Sequence, residues 1–269
     1  MKYMGSKNRI AKEILEIILR RRQIDQWYVE PFCGGCNVID KVHGNRIAND
    51  VNSYLIAFAE ALSKGWLPER DISEETYLDI KNNIDKYEAR LVGYVGFQLS
   101  YGAMWFSAYR KDTIGNRNYS IEAYDHIRKQ AKSLKGIKFY NMNYYDLPIP
   151  EKSIIYCDPP YEGTAKYKAN KDSFNHKSFW EWCRNKGLEG HEVYISEYNA
   201  PEDFECIWSS KLVNGISNDD ALEKLFRYKE APSSKIVDPD IINDNISNLD
   251  LNNKNTRIDD FDDFDDLFK

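Results

Sequence analysis

The chain has 269 residues, 42% hydrophobic and 30% charged, enough for one large α/β domain with an insertion or for two small domains. No apolar run approaches the roughly 18 residues of a membrane span, nothing after Met1 resembles a signal-peptide core, and five cysteines without framework spacing point to reduced thiols and a cytosolic setting. The net charge of −6 does not exclude a nucleic-acid partner, because residues 233–269 hold ten aspartates against four basic residues, leaving 33 of the 37 Lys+Arg and 33 of the 43 Asp+Glu in a neutral body.

Lys2 to Lys7 form a Gly-Ser turn bracketed by Tyr3 and Lys7. This is a candidate ligand-touching loop, with a flexible terminus as the competing reading. A helix is predicted over 9–22, with Ile10, Ile14, Ile17 and Ile18 as its apolar stripe. Residues 27–32 read as a short strand, followed by Cys33-Gly34-Gly35-Cys36 and a helical start. Strand, glycine loop and helix let backbone approach a nucleotide-like ligand closely, yet neither a dinucleotide signature nor a phosphate-cradling loop is present. Glu30 at the strand end would repel a pyrophosphate and suit a cation. Cys33 and Cys36 have no second ligand pair at a zinc-like interval, so no metal is expected.

A second strand, 46–52, ends in Asp50, a spacing that suits a carboxylate on a ribose diol. Asp50 or Asn52 as a cap for the helix 53–62 is the simpler alternative. Residues 71–134 read as mainly helical, interrupted by a stretch rich in aromatics and glycine and then by Tyr109, Arg110, Lys111, Asn116, Arg117 and Asn118. Cations, amides and rings interleaved in a loop are what a DNA-contacting segment needs; a core helix with a solvated loop would look similar.

Residues 137–141 are a third strand, followed by Asp146. Ser153 to Cys157 is a β-branched, apolar fourth strand that runs into Asp158-Pro159-Pro160-Tyr161. Two prolines force the chain out of the sheet as a stiff loop. That loop fixes a carboxylate, carbonyls and a ring at a strand's carboxyl end, where open α/β sheets keep their ligands. An ordinary turn is the competing reading. Residues 162–173 read as a mobile polar loop over the site, 174–186 as a helix, 191–198 as a fifth strand, and 206–208 with 225–228 as an antiparallel closing pair. Beyond Pro232 the composition is that of a disordered acidic tail. Its spaced Phe261, Phe264 and Phe268 suit a docking peptide for a protein partner, or serve only solubility.

Four motifs in this order, Lys2–Lys7, Glu30 to Gly35, Asn49 to Asn52 and Asp158 to Tyr161, make the chain resemble the Dam-like (D12 class) S-adenosylmethionine-dependent DNA adenine N6-methyltransferases over residues 1 to 230. The resemblance implies a mostly parallel Rossmann-like methyltransferase sheet with a closing antiparallel strand. It divides the chain into a catalytic domain of 1–70 and 135–230, a target-recognition insertion of 71–134 and the tail 233–269. It makes Tyr3, Lys7, Glu30, Phe32, Gly34, Gly35, Asp50, Asp146 and Asp158 contacts of S-adenosylmethionine, and Asp158, Pro159 and Tyr161 the catalytic group acting on a flipped adenine in double-stranded DNA. A bacterial or phage-infected cell is the implied setting, for restriction-modification or phage DNA modification. The family's turn has a glycine where this chain has Cys36, and Glu197, near the fifth strand's end, has no assignment. A protein-glutamine, cytosine-N4 or RNA methyltransferase and a non-catalytic binding module are the alternatives.

Overall fold

The computed structural model describes residues 1–162, 174–212 and 221–229. The predicted loop over the site, from 163 on, and the acidic tail lie outside the described residues. Seven strands form one sheet in the order β3-β2-β1-β4-β5-β7-β6. They are β1 (Tyr28–Glu30), β2 (Arg46–Asn49), β3 (Ile137–Tyr140), β4 (Ile154–Cys157), β5 (Glu192–Ser196), β6 (Phe204–Leu212) and β7 (Ala221–Tyr228). The first five are parallel; β7 runs antiparallel to both β5 and β6. This is the mixed α/β, mostly parallel sheet expected from the sequence.

Parallel strands covered on both faces read as continuous apolar runs, and every residue of β1, β2 and β4 is buried. One core cluster, containing Tyr28, Ala48 and Tyr156, lies under α1 (Ala11–Ile18), α2 (Ser53–Ser63) and α4 (Ala89–Gln98). A second, with Val29, Ile155 and Phe179, lies under α6 (His176–Leu188). The alternation of Tyr28 and Val29 between the two clusters is the period of two of a strand with a core on each face.

Two extents differ from expectation. The first helix ends at Ile18 rather than near Arg22, because the guanidinium of Arg22 is drawn to the carbonyls of Gln26, His43 and Asn45. The closing pair is longer than the apolar residues marked it, and an irregularity between Cys206 and Trp208 shifts its register, which blurs the alternation that sequence reading relies on.

The segment between α2 and β3 holds α3 (Glu74–Asn82), α4 and α5 (Tyr119–Ala131). Tyr77, Tyr94 and Ile127 from these helices share the core that holds Tyr28 and Tyr156. Helix α4 lies very close to α2: a Cβ on Gly93 would sit 2.1 Å from the Tyr54 carbonyl oxygen. The cysteines Cys33, Cys36, Cys157 and Cys183 are buried free thiols, and among the described residues no helix is long and apolar enough to cross a membrane.

Candidate active site

In this sheet the chain leaves β1 toward β2 and β3 on one side and returns through β4 toward β5 on the other. The carboxyl ends of β1 and β4 therefore flank the point where strand order reverses, the usual ligand position of open α/β sheets. Glu30 is the last residue of β1, and Asp158 directly follows β4.

The N-terminal loop is pinned across this edge, not free. The Gln98 amide accepts from Lys2 N at 2.7 Å and donates to Lys2 O at 2.9 Å, imitating a strand partner. Asn37 Nδ2 donates to Met1 O at 2.9 Å and Ser6 Oγ at 2.7 Å. These bonds fix Tyr3 against the glycine turn, where a Cβ on Gly34 would fall 2.7 Å from the Tyr3 ring and one on Gly35 2.8 Å from Tyr3 Cβ. The glycines give room to Tyr3, a use of the turn that the sequence did not reveal.

Lys7 is also delivered by this loop. It is buried, with Nζ 3.1 Å from Asp158 Oδ1, 3.7 Å from Glu223 Oε1 and 4.6 Å from the centre of the Tyr161 ring. Burial lowers its pKa, but Asp158 and Glu223 together raise it more, leaving it above the ordinary lysine value. Burial pushes the Asp158 carboxyl up while Lys7 pulls it back. The Tyr161 hydroxyl donates to Glu223 Oε2 at 2.8 Å, and its ring meets Tyr198 edge-on with centroids 4.7 Å apart. Lys7, far away in the chain, thus converges on Asp158 and Tyr161 together with Glu223, which sequence reasoning missed. Its only signal was an acid two residues before buried Leu225 on the same strand face.

Glu30 is buried and accepts from the Tyr28 hydroxyl at 2.9 Å; burial pushes its carboxyl well above the usual range. Asp50 accepts from Gly34 N at 3.1 Å and Asn52 N at 2.9 Å. The helix cap is Asn52, accepting from Leu55 N at 3.1 Å, so Asp50 organises the turn instead of capping. A carboxylate offers about four acceptor positions, and two backbone bonds leave the others for a diol. Asn49 is buried and joins three loops, donating to Pro31 O at 2.9 Å and Met142 O at 3.0 Å and accepting from Met142 N at 3.1 Å. Phe32 packs among Tyr144, Phe174 and Phe179 with centroids 5.3 to 5.7 Å apart. Asp146 closes a short 3-10 turn and is exposed.

Cys36 has φ of +56° and no exposed surface. The backbone there is left-handed, the conformation that favours glycine, and the chain keeps that turn with a cysteine. Glu197 receives the backbone N–H groups of Tyr198 at 2.7 Å and Glu162 at 3.2 Å, and burial pushes its pKa up to about 7. It ties the residue after Tyr161 to the end of β5.

Within the basic and aromatic segment the roles divide. Arg110 is 9% exposed, lies over Tyr119 with Cζ 3.9 Å from the ring centre, and has no ion pair among the described residues. Arg117 is held by Glu122 through two bonds of 3.0 Å, and Lys111 by Glu74 at 2.9 Å. Asn118 caps α5, accepting from Ser120 N and Ile121 N at 3.0 Å; an asparagine just before a helical pattern is a cap signal that the sequence contained. Tyr109 donates to Ile72 O at 2.7 Å, and Asn116 N to Asp112 at 2.8 Å. These residues line an open depression of about 460 Å³. Among the described residues no group of His, Cys, Asp and Glu side chains is arranged to hold a metal ion.

Two solved structures match the chain at low similarity. The rRNA methyltransferase aviRa from Streptomyces viridochromogenes superposes with a TM-score of 0.43 at 10% identity, covering 86% of this chain and 88% of that chain. SMU.472, described as a methyltransferase and solved in complex with SAH, has a TM-score of 0.35 at 15% identity, covering 86% of this chain and 54% of that one. A family model matches residues 3–92 and 73–224, a span that contains Lys7, Glu30, Asp50, Asp158 and Glu223. The chain belongs to the D12 class N6 adenine-specific DNA methyltransferases.

Proposed function

We propose that this methyltransferase transfers a methyl group from S-adenosylmethionine to N6 of an adenine flipped out of double-stranded DNA. The observation that carries the reading is the placement of Asp158, Pro159 and Tyr161 directly after β4, beside the strand-order reversal. An exocyclic adenine amine is a poor nucleophile because its lone pair is delocalised into the ring. Asp158 and the Pro159 carbonyl accept its two N–H bonds and localise that pair on nitrogen. Tyr161 faces the base, which must leave the duplex for its N6 to reach Asp158. Lys7 is the counter-charge that keeps the anionic form of buried Asp158 accessible.

The donor set fits the cofactor. Glu30, Asp50 and Asp158 put acids at the ends of β1, β2 and β4, which suits a cationic sulfonium, and Asp50 retains acceptor capacity for the ribose hydroxyls. When bound, S-adenosylmethionine supplies the electrophilic methyl. Glu30, Phe32, Gly34 and Gly35 form the methionine-side turn, Tyr3 reaches the cofactor from the N-terminal loop, and Asp146 lies toward the adenine. Arg110 is the best-placed DNA contact: stacking holds its guanidinium while its in-plane donors stay unspent, ready for phosphate or a base edge.

The test uses the full chain, tritiated S-adenosylmethionine and unmethylated duplex DNA, with Asp158→Ala as control. Label on N6 of adenine, lost in the variant while cofactor binding remains, is the expected result. Label on cytosine, RNA or protein, or an unchanged rate in Asp158→Ala, refutes the reading.

A further inference from the structure

Glu223 lies on β7, at the far side of the sheet's switch point from Glu30, and nothing in the four motifs points to it. It is 7% exposed, and both carboxylate oxygens face the candidate site: Oε2 accepts the Tyr161 hydroxyl at 2.8 Å, and Oε1 lies 3.7 Å from Lys7 Nζ. A buried carboxylate is costly unless its oxygens are satisfied. Here the satisfaction comes from two residues that also touch or flank Asp158.

Lys7 Nζ is itself an amine donor at Asp158 Oδ1, lying over the Tyr161 ring. It stands where the donors of a target amine have to arrive. A target amine that binds Asp158 must therefore compete with Lys7 for that carboxylate, and a displaced lysine ammonium left unpaired in a buried site would be strongly unfavourable. Besides the neutral Gly5 carbonyl at 3.3 Å, Glu223 offers the second anionic partner.

We propose that Glu223 is a positioning residue: it takes Lys7 when the target amine occupies Asp158, and it holds Tyr161 by the hydroxyl so that the ring keeps its orientation. This deepens the adenine-methyltransferase reading and rests on it for the identity of the amine, whereas the Lys7–Glu223–Tyr161 linkage stands on its own geometry. The neutral isostere Glu223→Gln keeps an acceptor for the tyrosine but removes the charge that receives Lys7; Glu223→Ala removes both.

The experiment measures acetylation of Lys7 by an N-hydroxysuccinimide ester at pH 8, read by peptide mass spectrometry on the full chain, with exposed Lys64, just after α2, as internal reference. Losing one of two charge partners increases the free-amine fraction of Lys7, and a rise of about tenfold is expected in both variants relative to Lys64. Methyl transfer is followed in parallel. Glu223→Gln is expected to lower kcat at least about tenfold with KM for S-adenosylmethionine within about twofold, and Glu223→Ala to lower kcat further. A Lys7 rate within twofold of the parent in Glu223→Gln overturns the proposal, as does parental kcat in that variant. If Glu223→Ala unfolds, seen as a rise in overall lysine labelling, the isosteric variant decides. If the parent itself transfers no methyl group to DNA, the functional reading fails while the Lys7 labelling still decides the linkage.

Discussion

Replacing Lys7 by methionine tests the electrostatics of the site most directly, because the substitution nearly keeps the length of the stem and removes the ammonium, with its charge and its donor to the Gly5 carbonyl. At 3.1 Å from Asp158 and 3.7 Å from Glu223, an effective dielectric of about 20 gives gross attractions of about 5 and about 4 kcal/mol. Desolvation of the ammonium offsets several kcal/mol of that sum. What the variant loses beyond the pair is the compensation of two acids left facing each other, so a net destabilisation of about 3–5 kcal/mol is expected, or about 6–20 °C in Tm for a domain of this size. The pH dependence separates this cause from lost packing. In the parent the folded pKa of Lys7 lies above 10.5, so its contribution is complete below that pH and disappears as pH rises through the folded value. Asp158 is already raised by burial, and without Lys7 it rises further. Its protonated form then relieves the variant as pH falls toward 4, so the gap between parent and variant is wide at pH 8 and narrow at pH 5. Calorimetric melts of both proteins across this range provide the measurement. A gap that stays constant from pH 5 to 8 would refute the electrostatic account.

Substitutions at two further positions, Gly93 and Cys36, probe the backbone. Gly93→Ala places a methyl group 2.1 Å from the Tyr54 carbonyl oxygen, so despite alanine's better helix propensity the cost should be about 1–3 kcal/mol, read from urea unfolding; a stabilised variant would mean that α2 and α4 separate freely. Cys36→Gly relieves a left-handed residue worth about 1–2 kcal/mol but gives up a buried thiol and adds chain entropy, so its stability should stay within about 1 kcal/mol of the parent. Cys36→Val, β-branched at φ +56°, should cost at least about 2 kcal/mol more, and equal losses in the two variants would disprove the conformational argument.

What the sequence disclosed is local. The β-branched run before Asp158 and the double proline after it located a strand end and a stiff exit from residue types alone, and Ile10, Ile14 and Ile18 marked the buried face of α1. Spacing brought Asp50 close to the glycine turn but left open whether it capped a helix, and the answer lies in which backbone amides reach it. What stayed hidden depends on partners distant in the chain. Arg110 and Arg117 look equivalent in sequence, and both lie over the Tyr119 ring, yet of the two Glu122 holds Arg117 alone. Gln98 is an ordinary glutamine until Lys2 lies beside it. Glu223 carried only a strand-face parity that the register shift in the closing pair obscures.

The span between Lys7 and Glu223 also has a kinetic meaning. Those two residues lie 216 positions apart in the chain (223 minus 7), and β7, which carries Glu223, pairs with β5 and follows the five parallel strands in sequence. Closing so long a loop adds little equilibrium cost, since that grows only logarithmically with length, but contacts of this separation are late events on a folding pathway. Glu223 is therefore the last of the grouped residues to be synthesised. During synthesis, a chain whose sheet is otherwise complete still has Asp158 and Lys7 without their third partner.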